Sequence, residues 1–169
     1  MNTFSLKRED YPALGYFFEV KFHQLGPNDF RGAFQSISGI SKSTKAKKIA
    51  DGGDNDYEYK LPINSSYKDI TLKRGIVKSF GKNFNKDVTS WFVNLGFVNK
   101  GSSPRLYPTQ VEIYLLDTDQ KNLGEPLEKW SLYHCYPTSV TMGEFNSTKS
   151  DIAIETITLS YSRYIRTVF

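Results

Sequence analysis

Hydrophobic and polar side chains alternate along most of the chain, a period of two that is typical of β-strands with one buried face. Phe18, Val20 and Phe22 alternate with charged or polar neighbours and predict a strand. Residues 152–161 show the cleanest alternation, with apolar members on both faces. Further strands are predicted over residues 30–37, 70–77, 111–116 and 130–136, and Pro137 either ends the last of these or marks an edge. The Gly-Ser-Ser-Pro segment at 101–104 is predicted to be a loop.

One segment has helical spacing. Val88, Trp91, Phe92 and Leu95 follow one another at intervals that place them on a single face of a helix. We expect a helix over residues 86–97, ended by Gly96, with Trp91 anchored in the core.

The segment over about residues 40–63 is predicted to be a long β-hairpin around Gly52 and Gly53. Its flanks are judged polar on both faces, and an isolated two-stranded hairpin is marginally stable in water. Something else must therefore order it, and edge-strand addition to a neighbouring subunit is the natural candidate. The alternative is a flexible loop. Together the elements predict a mainly β fold, an antiparallel β-barrel or sandwich with one short flanking α-helix, in a single domain spanning 1–169.

The amino-acid composition argues against several classes of protein. The chain has 169 residues, with 38% hydrophobic and 15% aromatic residues, which suffices for one buried core. No apolar run reaches the roughly 18 residues that a transmembrane helix needs, so no membrane insertion is expected. A single cysteine excludes an internal disulfide. The net charge of +4 is mild for a dedicated nucleic-acid binder.

The sequence offers no recognisable catalytic or metal-binding motif. His23, His134 and Cys135 lack zinc-site spacing, and adjacent residues on a strand point to opposite faces. The acidic turn at 51–56 lacks the calcium-loop pattern. Phosphate-binding loops and nucleophile elbows are missing. We therefore predict that the chain is not an enzyme and holds no cofactor or metal.

Short motifs follow in a fixed order: F-Q-S-I-S-G-I at 34–40, D-G-G at 51–53, I-T-L-K-R-G at 70–75, Trp91, V-E-I-Y-L-L-D at 111–117, W-S-L with Y-P at 130–137, and I-E-T-I-T-L-S-Y at 154–161. Over residues 12–163 this series resembles the tail-tube proteins of contractile phages and phage-tail-like injection systems, which are related in fold to the type VI secretion tube protein. The 76–90 segment and the 163–169 tail exceed the usual lengths of that family.

The resemblance implies a structural protein of an assembled phage tail or injection particle, made in the bacterial cytoplasm. Its homo-hexameric rings would stack head to tail into a hollow tube. Partners would be a sheath protein, baseplate and terminator or cap proteins, and a lumen cargo of DNA or protein effectors. A baseplate-proximal adaptor ring of the same fold is an alternative. A monomeric β-barrel that binds nucleic acid or a small ligand is another, from a different class.

The resemblance also implies three subunit-contact regions. The protruding hairpin would reach the next ring, the strand at 73–75 would join neighbours, and the helix would face the sheath. The hairpin residues are Lys42, Lys45, Lys47, Lys48, Asp51, Gly52, Gly53, Asp54, Asp56 and Tyr57. The strand residues are Lys73, Arg74 and Gly75, and the helix residues are Lys86, Asp87, Ser90 and Asn94.

Overall fold

The computed structural model describes residues 17–23, 29–50, 58–75, 86–100, 103–117, 125–143 and 154–169. This part of the chain is mostly antiparallel β-structure with one short helix. The elements in chain order are β1 Phe17–Phe22, β2 Phe30–Phe34, β3 Ser36–Ser38, β4 Lys42–Ala50, β5 Glu58–Tyr67, β6 Ile70–Gly75, α1 Lys86–Val93, β7 Phe97–Lys100, β8 Ser103–Leu106, β9 Thr109–Leu116, β10 Pro126–Met142, β11 Ile154–Ser160 and β12 Arg163–Val168.

Strand β10 belongs to both halves of the fold. Its first half pairs with β9 along one edge and with β12 along the other, and its second half pairs with β11. One layer is therefore β2-β1-β9-β10-β12 and the other is β10-β11-β6-β3. The path begins at β2 and ends at β3, which are separated only by Gln35, and its amide donates to the Lys73 carbonyl at 2.8 Å. The two layers thus enclose a core without closing into a full barrel.

Of the two alternatives for Pro137, the one in which it ends its strand is wrong. The strand continues to Met142, with register shifts between Leu132 and Cys135 and between Pro137 and Ser139. His134 lies at the first of these shifts with φ of 54°, in the left-handed region. Because proline is tolerated where strand pairing is irregular, Pro137 fits at the point where β10 passes from one layer to the other.

An aromatic cluster from β1, β2 and α1 forms part of the core. The Phe22 ring contacts those of Phe30, Phe34, Trp91 and Phe92, with centroids 5.4 to 6.4 Å apart. Trp91 is fully buried, and its Nε1 donates to the Tyr107 carbonyl at 2.8 Å. Trp91 is therefore a core anchor, as its helical spacing predicted, and α1 covers one side of the core.

Helix α1 ends four residues earlier than expected. The Leu95 amide donates to the Phe92 carbonyl, and the Gly96 amide donates to the Trp91 carbonyl, which is the paired arrangement of a Schellman C-cap. Leu95 has φ of 49° and Gly96 has φ of 83°. The cap turns the chain directly into β7, which pairs with β8. Ser103 and Pro104 belong to β8, where the sequence predicted only a loop.

Gly39 fixes the chain between β3 and the hairpin strand β4. It has φ of 95°, and a Cβ at this position would lie 2.3 Å from the Asp69 carbonyl oxygen. That oxygen belongs to the backbone just before β6, so it cannot move aside without disturbing the strand. Only glycine meets both constraints here.

Replacing this glycine tests how firmly the hairpin base is fixed. We expect Gly39→Ala to lower the free energy of unfolding by about 2–4 kcal/mol, because left-handed strain and overpacking add. Urea unfolding measures this loss, with Ser38→Ala as the exposed neighbouring control. A loss no larger than that of the control would contradict the steric account.

Candidate assembly surfaces

The hairpin of β4 and β5 stands apart from the core. The two strands pair with each other from Lys42 opposite Tyr67 to Ala50 opposite Glu58, and form a separate two-stranded sheet. Side chains of residues 42–49 and 58–66 are exposed throughout. Within the described part of the chain, nothing covers either face of this hairpin.

One face of the hairpin carries large apolar side chains. Tyr59, Leu61 and Ile63 follow at a spacing of two, and Ile49 lies directly opposite Tyr59. These four residues, the hairpin apolar face, are 41 to 58% exposed. The expectation that both flanks are polar on both faces is therefore wrong, and the alternation in β5 is the sequence signal for this face. Burying the exposed half of each side chain would contribute roughly 1 kcal/mol per residue.

Exposed lysines also lie along the hairpin. Lys42, Lys45, Lys47 and Lys48 are all exposed, as expected for contact residues, and Lys47 lies directly opposite Leu61. The Lys48 ammonium lies 2.8 Å from the Glu58 carboxylate, a solvent-exposed pair worth little on its own. The remaining predicted hairpin residues, Asp51, Gly52, Gly53, Asp54, Asp56 and Tyr57, lie outside the described residues.

Three tyrosines anchor the hairpin base. The Tyr67 ring lies 5.6 Å from that of Tyr161 and 5.9 Å from that of Tyr164. The Tyr161 hydroxyl donates to the Ser41 carbonyl at 3.2 Å and lies 3.4 Å from the Ser41 amide. Burial raises the pKa of Tyr161, so the hydroxyl keeps its proton for this bond. Both hairpin strands are thereby fixed at their base to the corner between β11 and β12.

The three residues predicted on β6 have different environments. Lys73 is exposed, whereas Arg74 forms an ion pair with Glu155, directly opposite on β11. The Arg74 and Glu155 side chains are only 13% and 8% exposed, and the guanidinium lies 6.0 Å from the Phe34 ring centroid. Gly75 pairs with Ile154. Lys73 is therefore the charged residue of this trio that is accessible to a partner.

The predicted helix-face residues lie on or just after α1. Ser90 and Asn94 are exposed, and the Asn94 side-chain amide donates to the Ser90 hydroxyl at 3.1 Å. Lys86 and Asp87 form the first turn of the helix. Exposed Val93 and Leu95 add an apolar strip beside these polar groups.

A polar cluster on the outer face of β1, β9 and β10 was not predicted. Glu112 is its centre: the Tyr114 hydroxyl donates to its carboxylate at 2.7 Å, and His23 Nε2 lies 2.9 Å from the same oxygen. Lys129 lies 3.5 Å from the other oxygen. The second ring nitrogen of His23 lies 3.1 Å from Asp29. Because three strands contribute these groups, only the strand register brings them together.

This environment keeps Glu112 ionised. Burial alone raises the pKa of the carboxyl, but hydrogen bonds from Tyr114 and His23 and the charge of Lys129 outweigh it, so the pKa of Glu112 lies below its usual 4.5. Burial and the bond to Glu112 raise the pKa of Tyr114 to about 12. The cluster therefore holds a largely buried negative charge in a hydrogen-bonded network.

The described residues show few features for metal binding, thiol chemistry or membrane crossing. They contain no group of three His, Cys, Asp or Glu side chains placed to hold a metal ion. Cys135 is buried, and burial raises the pKa of its thiol to about 12. In the same described part, none of the helical structure combines the length and hydrophobicity needed to cross a membrane.

Comparison with known proteins identifies the family. The family model described as T4-like virus tail tube protein gp19 matches residues 15–165, so the chain belongs to that family. No curated protein sequence matches the chain. The family is one of tail tube proteins, which fits a structural rather than a catalytic protein.

Two solved structures with similar chains come from an extracellular contractile injection system. A chain of the PVC sheath–tube complex of an extracellular contractile injection system, in the extended state, is 25% identical over 98% of this chain and 100% of that chain, with a TM-score of 0.70. A chain of the PVC sheath/tube terminator is 26% identical over 94% and 98%, with a TM-score of 0.69. Hcp1 from Salmonella typhimurium shares the fold, at 10% identity over 92% and 87% and a TM-score of 0.51.

The Glu112 cluster has a testable pH signature. Because the pKa of Glu112 is lowered in the folded chain, its contribution to stability is present above pH 4.5 and is lost as the pH falls through the lower folded value. We expect Glu112→Gln to lower the free energy of unfolding at neutral pH by about 1–3 kcal/mol. The difference from wild type should shrink below pH 4.5.

Urea unfolding at a series of pH values measures this difference. Glu125→Gln is the matched control, since Glu125 is an exposed glutamate. A difference between wild type and Glu112→Gln that stays constant with pH would contradict the electrostatic role of the cluster.

Proposed function

We propose that this chain is the inner-tube protomer of a contractile injection apparatus. Its hexameric rings stack head to tail into a hollow tube, and contraction of a surrounding sheath drives the tube through a target envelope. The observation that carries the proposal is the hairpin apolar face, four exposed apolar side chains on a hairpin that contacts the core only at its base, in a member of a tail tube family.

In the proposed assembly, each of the three surfaces contacts a different neighbour. The hairpin over about 40–63 reaches the next ring, where repeated strand pairing and apolar burial stabilise the stack. A protrusion that fits a different surface on the next copy is a heterologous contact, which generates rings or open filaments. Lys73 lies at the contact within a ring, and the α1 surface with Ser90 and Asn94 faces the sheath. The sheath–tube and sheath/tube-terminator structures of similar chains support these partners.

The remaining partners follow from the same proposal. The tube begins on a baseplate, ends at a terminator or cap, and holds DNA or protein effectors in its lumen. The protomer is made in the bacterial cytoplasm and works as part of the assembled particle. A baseplate-proximal adaptor ring of the same fold is the alternative. An adaptor would form rings without growing long tubes.

Negative-stain electron microscopy with light scattering tests the proposal. The purified chain should form rings or tubes at high concentration, and tube length separates the main tube from an adaptor. A chain that stays at the 19.3 kDa monomer mass under these conditions, even with its sheath and baseplate partners co-expressed, would contradict both candidates.

A hairpin variant sharpens the test. We expect Leu61→Ser combined with Ile63→Ser to abolish tube growth, because the apolar surface buried between rings is lost. Since both side chains are at least half exposed in the protomer, the free energy of unfolding should change by only about 0.5 kcal/mol.

Val93→Ser is the matched control. Val93 is also an exposed apolar residue, but it lies on α1, which the proposal places toward the sheath. Electron microscopy of both variants without sheath measures the outcome. Tubes of normal length from the hairpin variant, or equal loss from both variants, would contradict the assignment of the hairpin.

A further inference from the structure

His23 lies between two carboxylates at the end of β1. Its Nε2 lies 2.9 Å from an oxygen of Glu112 on β9, and its Nδ1 lies 3.1 Å from an oxygen of Asp29, the residue just before β2. Ionised carboxylates only accept hydrogen bonds, and a neutral imidazole has a single N–H. Both contacts are therefore hydrogen bonds only when the ring carries a proton on each nitrogen. With one proton fewer, one ring nitrogen faces a carboxylate oxygen with no hydrogen between them.

We propose that His23 is a proton-operated clamp, which joins the start of β2 to β9 while both ring nitrogens are protonated and releases Asp29 when the ring loses a proton. Histidine is the side chain that ordinarily changes charge between pH 5 and 8, which suits it to this role. The inference goes beyond the proposed function and does not depend on it, because every contact lies within one protomer.

The backbone of His23 is fixed to β9. The His23 amide donates to the Gln110 carbonyl at 3.0 Å, and the Thr109 hydroxyl donates to the His23 carbonyl. These two bonds do not involve the ring, so a change in ring charge leaves them in place. The ring therefore stays beside β9 in both protonation states.

The contact to Asp29 is the one that opens when the ring loses a proton. The Asp29 side chain is 37% exposed, so water can replace the ring there, whereas the Glu112 side chain is only 11% exposed. Leaving a buried acceptor without its donor costs more than exchanging a donor for water at an exposed one. The single proton of the neutral ring should therefore remain on Nε2, toward Glu112, and Nδ1 should be bare.

Each carboxylate keeps a cation after the ring becomes neutral. The Lys21 ammonium lies 2.8 Å from the Asp29 oxygen that His23 contacts, and the Lys129 ammonium lies 3.5 Å from the second oxygen of Glu112. Loss of the ring proton therefore isolates neither charge, and the clamp can open while the strands stay paired. The same face of the sheet also carries the titratable groups of Glu19, Arg31 and Tyr114.

Nitrogen NMR of the histidine ring tests the clamp, because the ¹⁵N shifts of the two nitrogens show which of them carries a proton. The full chain is labelled at histidine and titrated through and beyond the range of about pH 5 to 8. The titration is run in solution for a protomer or by magic-angle spinning for an assembly. We expect His23 to carry protons on both nitrogens at the acidic end and on Nε2 alone at the basic end.

The signals can be assigned by one substitution. The chain has two histidines, and His134→Asn removes the second one. Asparagine is suitable there because it tolerates the left-handed φ of 54° at this position.

Asp29→Asn separates a clamp from a ring that merely titrates. Removing the Asp29 charge takes away one partner of the doubly protonated ring, so the ring should lose its proton at a lower pH than in the wild type. Asp69→Asn is the matched control, at an exposed aspartate that accepts from Thr138, and should leave the titration of the ring unchanged. In the wild type, the amide signals of Asp29 and Phe30 should shift over the same pH range as the ring.

Either of two results would overturn the clamp. A neutral ring that is protonated on Nδ1 instead of Nε2 would mean that the contact to Glu112 opens and the contact to Asp29 holds. A ring titration that is the same in the wild type, Asp29→Asn and Asp69→Asn would mean that Asp29 does not hold the ring. Both results are obtained whether or not the chain assembles, so they are distinct from failure of the proposed function.

Discussion

The central constraint on this structure is the need to bury the apolar face of a two-stranded hairpin that does not pack on the core along its length. Ile49, Tyr59, Leu61 and Ile63 remain about half exposed to water, although such side chains usually drive burial. A hairpin of two strands alone is marginally stable. The isolated protomer therefore leaves the apolar side chains of the hairpin exposed to water. Another copy of the chain supplies the missing contacts in the assembly that we propose.

The rest of the fold holds the base of this hairpin in a fixed position. Gly39 lets the chain turn into β4 against the Asp69 carbonyl, and the tyrosines at 67, 161 and 164 hold the base. Strand β10, continuous from Pro126 to Met142, joins the two layers on which that base rests. The hairpin is thus exposed to solvent along its length but fixed at its base. That combination suits a protrusion that must meet a neighbour at a defined angle.

Sequence reasoning recovered the elements whose signal is local. The alternation in β1 and β11, the helical spacing around Trp91 and the hairpin itself were all readable from neighbouring residues. The helix end was misplaced because Leu95, rather than a glycine, takes the first left-handed position of the cap. Pro137 suggested a strand end because the layer change that accommodates it depends on pairing with β9 and β11. The Glu112 cluster was missed for the same reason, since its members come from distant parts of the chain.

Hydrogen–deuterium exchange of the hairpin amides, in the isolated protomer and in the assembled state, tests the central claim most directly. The account predicts rapid exchange for the outer parts of β4 and β5 in the protomer, because nothing covers them, and strong protection after assembly. Amides around β9 and β11, in the core, should be protected in both states and serve as the internal reference. Hairpin amides that are equally protected in the protomer and in the assembly would contradict the claim that the hairpin needs a second copy.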